Sequence, residues 1–138
     1  MQGVVFCAEW HITWKDVHIE GIAMSEIKEI TGKIIQFIDE RDWMQFHDPK
    51  NMAVSIILEA SELLEHFQWK TKDEVRKYVT QNKAELKDEI ADIALYLFEL
   101  ADNLGIGLIS AMEEKLKKNE LKYPIEKAKG KHTKYNKL

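Results

Sequence analysis

Apolar positions recur at intervals of three and four along most of the chain, and residues 50–104 contain neither glycine nor proline. That spacing belongs to helices that bury one face, whereas the alternation of strands is missing and β-branched residues are sparse there. The pattern predicts an all-α fold. Ser25 precedes Glu26, Ile27, Ile30, Ile34, Phe37 and Ile38, so a first helix is expected from a Ser25 cap to near Trp43. Asp48-Pro49 reads as an N-cap followed by proline in the first turn, which opens a second helix running to about Gln68. Thr71 with Glu74 matches a capping box and Asn82 with Glu85 resembles another, so a short helix is expected before a long one over Lys83 to Asn103. Gly105-Ile106-Gly107 breaks the pattern before a last helix, Leu108 to Lys122, which Pro124 ends. Four main helices with short connections predict an antiparallel four-helix bundle.

At 138 residues, one core is the expectation. Hydrophobic residues make up 45% and charged residues 32%, a mixture that folds rather than stays disordered. With 20 Lys+Arg against 24 Asp+Glu, a net charge of -4 disfavours nucleic acid as a partner. No apolar run approaches the ~20 residues of a membrane span, and Val4 to Ala8 has no preceding Lys or Arg, against a secretory signal. A lone Cys7 allows no internal disulfide and no paired-cysteine zinc site, which fits a reducing cytoplasm. Residues 1–24 lack helical periodicity and end at Met24, just before the expected cap. They are read as an N-terminal extension, with a short strand or a partner-binding arm as the alternative. Residues 125–138 carry Lys127, Lys129, Lys131, Lys134 and Lys137 against only Glu126, a basic tail expected to be mobile and to reach over an anion.

Chemistry enters with two acidic stripes. On the second helix Ser55, Glu59, Glu62 and His66 share a stripe bordered by Met52, Leu63 and Leu58, so its acids face a groove rather than open solvent. On the long helix Glu85, Glu89, Asp92 and Tyr96 share a stripe beside an expected core face of Leu86, Ile90, Ile93, Leu97 and Leu100. If these helices pack antiparallel, Glu59, Glu62, Glu89 and Asp92 meet as a four-carboxylate cluster. Hard oxygen donors of this kind suit Mg²⁺, which keeps several waters and takes phosphate oxygens from a substrate. Either acidic pair alone is ordinarily a solvated face. Two pairs on apolar-flanked stripes shift the balance toward a site. A di-iron bundle would need Glu-x-x-His on two helices; here Glu62 and His66 are four apart and the long helix has no histidine.

These residues resemble the all-α nucleoside triphosphate pyrophosphohydrolases of the MazG-like superfamily, most nearly its dCTP pyrophosphatase branch. The signature Glu-x-x-Glu, spacer, Glu-x-x-Asp is present as Glu59 and Glu62, then 26 residues, then Glu89 and Asp92. Further blocks are Glu40-Arg41-Asp42-Trp43-Met44-Gln45-Phe46-His47, Phe67-Gln68-Trp69, Lys115-Leu116 to Asn119, Lys122-Tyr123-Pro124 and Lys134-Tyr135, so the likeness extends over about residues 25–136. It implies a helical catalytic domain over residues 25–124. It also implies hydrolysis of a (deoxy)nucleoside triphosphate, dCTP and other dNTPs, between the α and β phosphates to monophosphate and pyrophosphate. The four acids become Mg²⁺ ligands and catalytic residues, with Glu59 or Glu62 the favoured base for the attacking water. By the same resemblance Trp43, Trp69 and His47 line the base pocket, Tyr96 contacts the sugar, and Lys115, Asn119, Lys122 and Tyr123 belong to the substrate-binding set. A homodimer or homotetramer is the expected assembly. Ile34 stands where the vertebrate-type dCTP enzymes are expected to have a histidine, which relaxes the cytosine preference. The competing reading is a helical interaction or antitoxin-like module that keeps the bundle without turnover.

Overall fold

The computed structural model describes residues 22–137. Every regular element among them is helical: α1 (Ile22–Asp39), α2 (Pro49–Glu65), α3 (Lys72–Gln81), α4 (Lys83–Asn103), α5 (Leu108–Lys122) and α6 (Ile125–Ala128), with 3₁₀ turns at Met44–Phe46 and Tyr135–Lys137. The expectation of an all-α fold holds. The reading of residues 1–24 as an extension lies, up to residue 21, outside the described residues.

The helix boundaries follow the local chemistry with two corrections. Asp48 caps α2 by accepting from the Lys50 and Asn51 amides at 2.9 and 3.0 Å. Thr71 and Glu74 close a capping box on α3, the Thr71 amide donating to Glu74 Oε2 at 2.7 Å and the Glu74 amide to Thr71 Oγ1 at 3.4 Å. α4 ends in a Schellman arrangement: Gly105, at φ 64°, donates to Asp102 O at 2.9 Å, and Ile106 donates to Ala101 O at 2.8 Å. Ser25, expected as a cap, lies inside α1, which begins at Ile22. Asn82 does not cap α4; its side-chain amide donates back to Tyr78 O at 3.1 Å and closes the end of α3 instead. The stretch expected to be a mobile tail contains α6 and the Tyr135–Lys137 turn.

The described residues fall into two compact units, 22–107 and 108–137. In the first, α2 lies along α4, and α1 and α3 also rest on α4. Its core is made by Ile34 and Ile38 of α1, Met52 of α2, and Leu86 and Ala101 of α4. Fully burying one such aliphatic side chain is worth about 1.5–3 kcal/mol. The expected core face of α4 is only partly buried: Leu86 is inside, but Ile90 and Leu97 are 56% and 41% exposed. The side of α4 turned to α2 instead carries its polar stripe. In the second unit, Tyr123 at the end of α5 meets Tyr135 edge to face with ring centroids 6.0 Å apart, and Lys122 Nζ lies 5.1 Å over the Tyr135 ring.

Candidate active site

The register of α2 against α4 is antiparallel and can be followed rung by rung. His47, just before α2, reaches Glu99; Asn103 near the end of α4 donates to Met52 Sδ at 3.5 Å; and His66, just after α2, stands 3.9 Å from Glu89 near the start of α4. This packing brings the two acidic stripes together at mid-helix. Carboxylate oxygens of Glu59, Glu89 and Asp92 all lie within 4.8 Å of one another. Glu62, one turn further along α2, is exposed and stands outside that triad, although its charge is felt at Glu59. Partial burial, then repulsion from Glu62, Asp92 and Glu89, raises the Glu59 pKa above the ordinary carboxylate value.

Among the described residues no lysine or arginine pairs with Glu59 or Asp92. Three converging carboxylates, with no lysine or arginine beside Glu59 or Asp92 among the described residues and with one acid already biased toward its neutral form, fit a hard divalent cation held by oxygen ligands. The three carboxylates come from two packed helices, so their separation is set by helix packing rather than by a loop.

A second polar group borders the triad. Tyr78 of α3 stands 2.6 Å from His66 Nδ1 and donates to Glu85 Oε2 at 3.3 Å. Partial burial, reinforced by Glu85, raises the Tyr78 hydroxyl pKa, so it keeps its proton.

Three of the residues assigned to nucleoside binding come together at the other end of α2. Trp43 lies 6.4 Å from His47, and His47 lies 6.4 Å from Tyr96, which is one turn beyond Asp92 on α4. Phe37 meets Trp43 edge to face at 5.8 Å, and the Arg41 guanidinium lies 3.6 Å over the Phe37 ring. Trp69 is not part of this group. It follows the C-terminus of α2, 86% exposed, whereas Trp43 precedes the N-terminus of that 17-residue helix, which is about 25 Å long. Lys115, Asn119, Lys122 and Tyr123 lie on α5 and at its end, in the second unit; Lys115 borders a shallow apolar groove with Ala111, Met112 and Leu116. Ile34, where a histidine was expected, is a core residue at 8% exposure.

One buried acid escaped the sequence reading. Glu99 is 2% exposed and sits 2.6 Å from His47 Nδ1. The signal was available: continuing the stripe of Glu85, Glu89, Asp92 and Tyr96 by one more turn reaches Glu99 and then Asn103.

The family model for the MazG-like family matches residues 54–138, a segment that holds all four acids. The dCTP pyrophosphatase 1 of mouse is 35% identical over 114 residues, 81% of this chain and 67% of the mouse protein. The human dCTP pyrophosphatase 1 is 36% identical over the same length, with 81% and 67% covered. The chain belongs to the MazG-like family. That family is one of nucleoside triphosphate pyrophosphohydrolases. A pyrophosphatase from Archaeoglobus fulgidus, known from its crystal structure, superposes on the MazG-like chain with a TM-score of 0.68 at 42% identity, covering 78% of this chain and 98% of that one.

The triad makes this MazG-like protein's stability depend on pH when metal is absent. A carboxyl whose pKa is raised by folding favours the folded state at pH values below its unfolded pKa, about 4.3. That contribution is lost as the pH rises through the higher folded value. Glu59→Gln removes the titrating group. The metal-free variant is therefore expected to match wild type in Tm near pH 4 and to exceed it at pH 7, measured by thermal unfolding in chelator. A Tm difference that stays constant across this range refutes the crowding of charge at Glu59.

Proposed function

We propose that the protein hydrolyses (deoxy)nucleoside triphosphates, dCTP among them, to the monophosphate and pyrophosphate with Mg²⁺ as cofactor. The observation that carries this reading is the Glu59–Glu89–Asp92 triad on facing helices, within a chain of a pyrophosphohydrolase family. Glu59, Glu89 and Asp92 would hold the cation, with the exposed Glu62 as a further ligand from the next turn. When bound, Mg²⁺ offsets the triphosphate charge and polarises the phosphoryl group under attack. Water adds to the α-phosphorus, the bond from that phosphorus to the bridging oxygen breaks, and pyrophosphate leaves. Glu59 or Glu62 takes the proton of the attacking water.

Trp43, His47 and Tyr96 line the nucleoside side of the site, next to the acids along α4. An exposed aromatic face stacks on any base at about 1–3 kcal/mol, which gives affinity but little selectivity. With Ile34 packed in the core, a histidine edge is missing from α1, and the base preference is broader than cytosine alone. Trp43 and Trp69 flank opposite ends of α2, a helix about 25 Å long, so a pocket that uses both is completed by a second copy. The protein therefore acts as a homodimer or homotetramer. The exposure of Ile57, Leu58 and Ile90 on α2 and α4 supports such pairing. Lys115 and Asn119 contribute phosphate or sugar contacts, and Lys122 and Tyr123 belong to the same substrate-binding set.

Incubation of the purified protein with all eight common nucleoside triphosphates and Mg²⁺, scored for monophosphate and pyrophosphate, tests this reading. Turnover of dCTP is expected, with another deoxynucleotide within about tenfold of it, a gap of ~1.4 kcal/mol. Release of inorganic phosphate instead, or no turnover of any nucleotide, would overturn it. Trp69→Ala is expected to cost about 1–3 kcal/mol in kcat/KM, and unchanged values across the panel would leave Trp69 outside the base pocket.

A further inference from the structure

Three helices meet beside the acidic triad through a chain of polar contacts that the proposed reaction does not use. Tyr78 of α3 stands between His66, at the end of α2, and Glu85, in the first turn of α4. A carboxylate only accepts, so the single hydroxyl proton of Tyr78 goes to Glu85. The Tyr78 oxygen is then left to accept, and His66 Nδ1 carries the proton it receives. That order fixes the imidazole tautomer and leaves Nε2 facing Glu89 Oε1, 3.9 Å away, as a lone pair that cannot donate to the carboxylate and repels it toward Glu59 and Asp92. The ring is held mechanically as well. Tyr78 lies 5.7 Å from His66, Phe67 flanks both rings at 6.4 Å, and Lys70 Nζ sits 4.2 Å over Tyr78.

We propose that Glu85, Tyr78 and His66 form a positioning relay for the cation site, in which the locked imidazole of His66 keeps the Glu89 carboxylate turned toward Glu59 and Asp92. The inference rests on reading those acids as a cation site and adds residues from a third helix to it. A free glutamate side chain samples many rotamers, and ordering it on binding costs entropy. The Nε2 lone pair on one side of Glu89 disfavours rotamers that bring the carboxylate against it and removes part of that freedom beforehand. Groups behind a ligand typically change metal affinity or activity 10–100-fold when lost.

Mn²⁺ binding to the full-length protein, followed by the electron paramagnetic resonance signal of the free ion, tests the relay directly. Tyr78→Phe removes only the hydroxyl and keeps the ring packing; its Kd for Mn²⁺ is expected to rise about 10–100-fold, with saturating Mn²⁺ restoring most of kcat. Glu85→Ala, at an exposed position that does not endanger folding, is expected to weaken binding in the same direction. Glu85→Gln retains an acceptor for Tyr78 and is expected to stay within about threefold of wild type. A relay that merely staples the helices would lower Tm in Tyr78→Phe yet leave Mn²⁺ affinity within about twofold of wild type in both Tyr78→Phe and Glu85→Ala, and that result overturns the proposal. Wild-type binding that survives Glu59→Gln would place the cation elsewhere and overturn the cation-site reading together with the relay. Glu59-dependent binding that ignores Tyr78→Phe and Glu85→Ala overturns the relay alone.

Discussion

Glutamine in place of Glu89, or asparagine in place of Asp92, is expected to lower kcat/KM for nucleotide hydrolysis at least ~100-fold with the fold intact. That factor corresponds to about 2.7 kcal/mol of lost transition-state stabilisation. The amides keep the volume and shape of the acids and remove only a charge and an anionic oxygen donor. Neither site belongs to the core: Asp92 is exposed and Glu89 half-buried, so far-UV circular dichroism should be unchanged. The like-charge repulsion that raises Glu59 falls when a neighbour is neutralised, and the metal-free variants should be no less stable than wild type. Glu62→Gln is the more discriminating member of the series, because Glu62 stands outside the triad. A comparable loss there makes Glu62 either a fourth ligand or the base for the attacking water. Near-normal turnover would confine the ligand set to Glu59, Glu89 and Asp92, and near-normal turnover in Asp92→Asn would refute the cluster as the catalytic site.

The parts of this architecture that were legible in the sequence are those decided within a turn or two of chain. Asp48-Pro49, the Thr71–Glu74 box and the Gly105 stop each set a helix boundary through neighbouring backbone groups, and each appears where it was expected. The acidic triad was legible too, since two stripes at helical spacing need only one antiparallel contact to meet. Most of what failed depended on partners far away in sequence, although the Asn82 cap was lost to a partner only four residues back. Asn82 had a plausible cap pattern with Glu85, but Tyr78 O offers its side chain a better-placed acceptor, so it closes α3. Ile90 and Leu97 looked like core because they are apolar. α4 gives its buried side to α2 along the polar stripe, and these two face away. The His66–Tyr78–Glu85 chain crosses three helices, and nothing in local spacing ties Tyr78 to either partner. Glu99 is the clearest case: its position on the stripe could be read from the sequence, but its burial could not, because burial depends on His47 arriving from before α2.

That pairing carries the largest expected effect on stability. His47→Ala is expected to destabilise the protein by about 3–5 kcal/mol, the cost of leaving a buried carboxyl group without its partner. With about 2–4 °C per kcal/mol for a chain approaching ~150 residues, Tm should fall by roughly 6–20 °C. Glu99 is 2% exposed and His47 bonds it at 2.6 Å, so the carboxyl group loses its partner in an environment with little access to water. Glu99→Gln keeps an acceptor for the imidazole and should cost only about 1 kcal/mol. The double variant His47→Leu/Glu99→Leu replaces the pair with apolar volume and is expected to recover most of the loss, since buried pairs are often no better than well-packed hydrophobic replacements. Thermal unfolding of the three variants distinguishes a buried pair from a solvated one: single variants within about 1 kcal/mol of wild type would show that the contact is not worth its burial. The recovered double variant also separates two roles for His47, whose ring lies 6.4 Å from both Trp43 and Tyr96. If it is stable and its KM for nucleotide has risen with kcat unchanged, His47 touches the base as well as holding Glu99. If KM is unchanged, His47 serves the nucleoside pocket only by fixing the loop that carries Trp43.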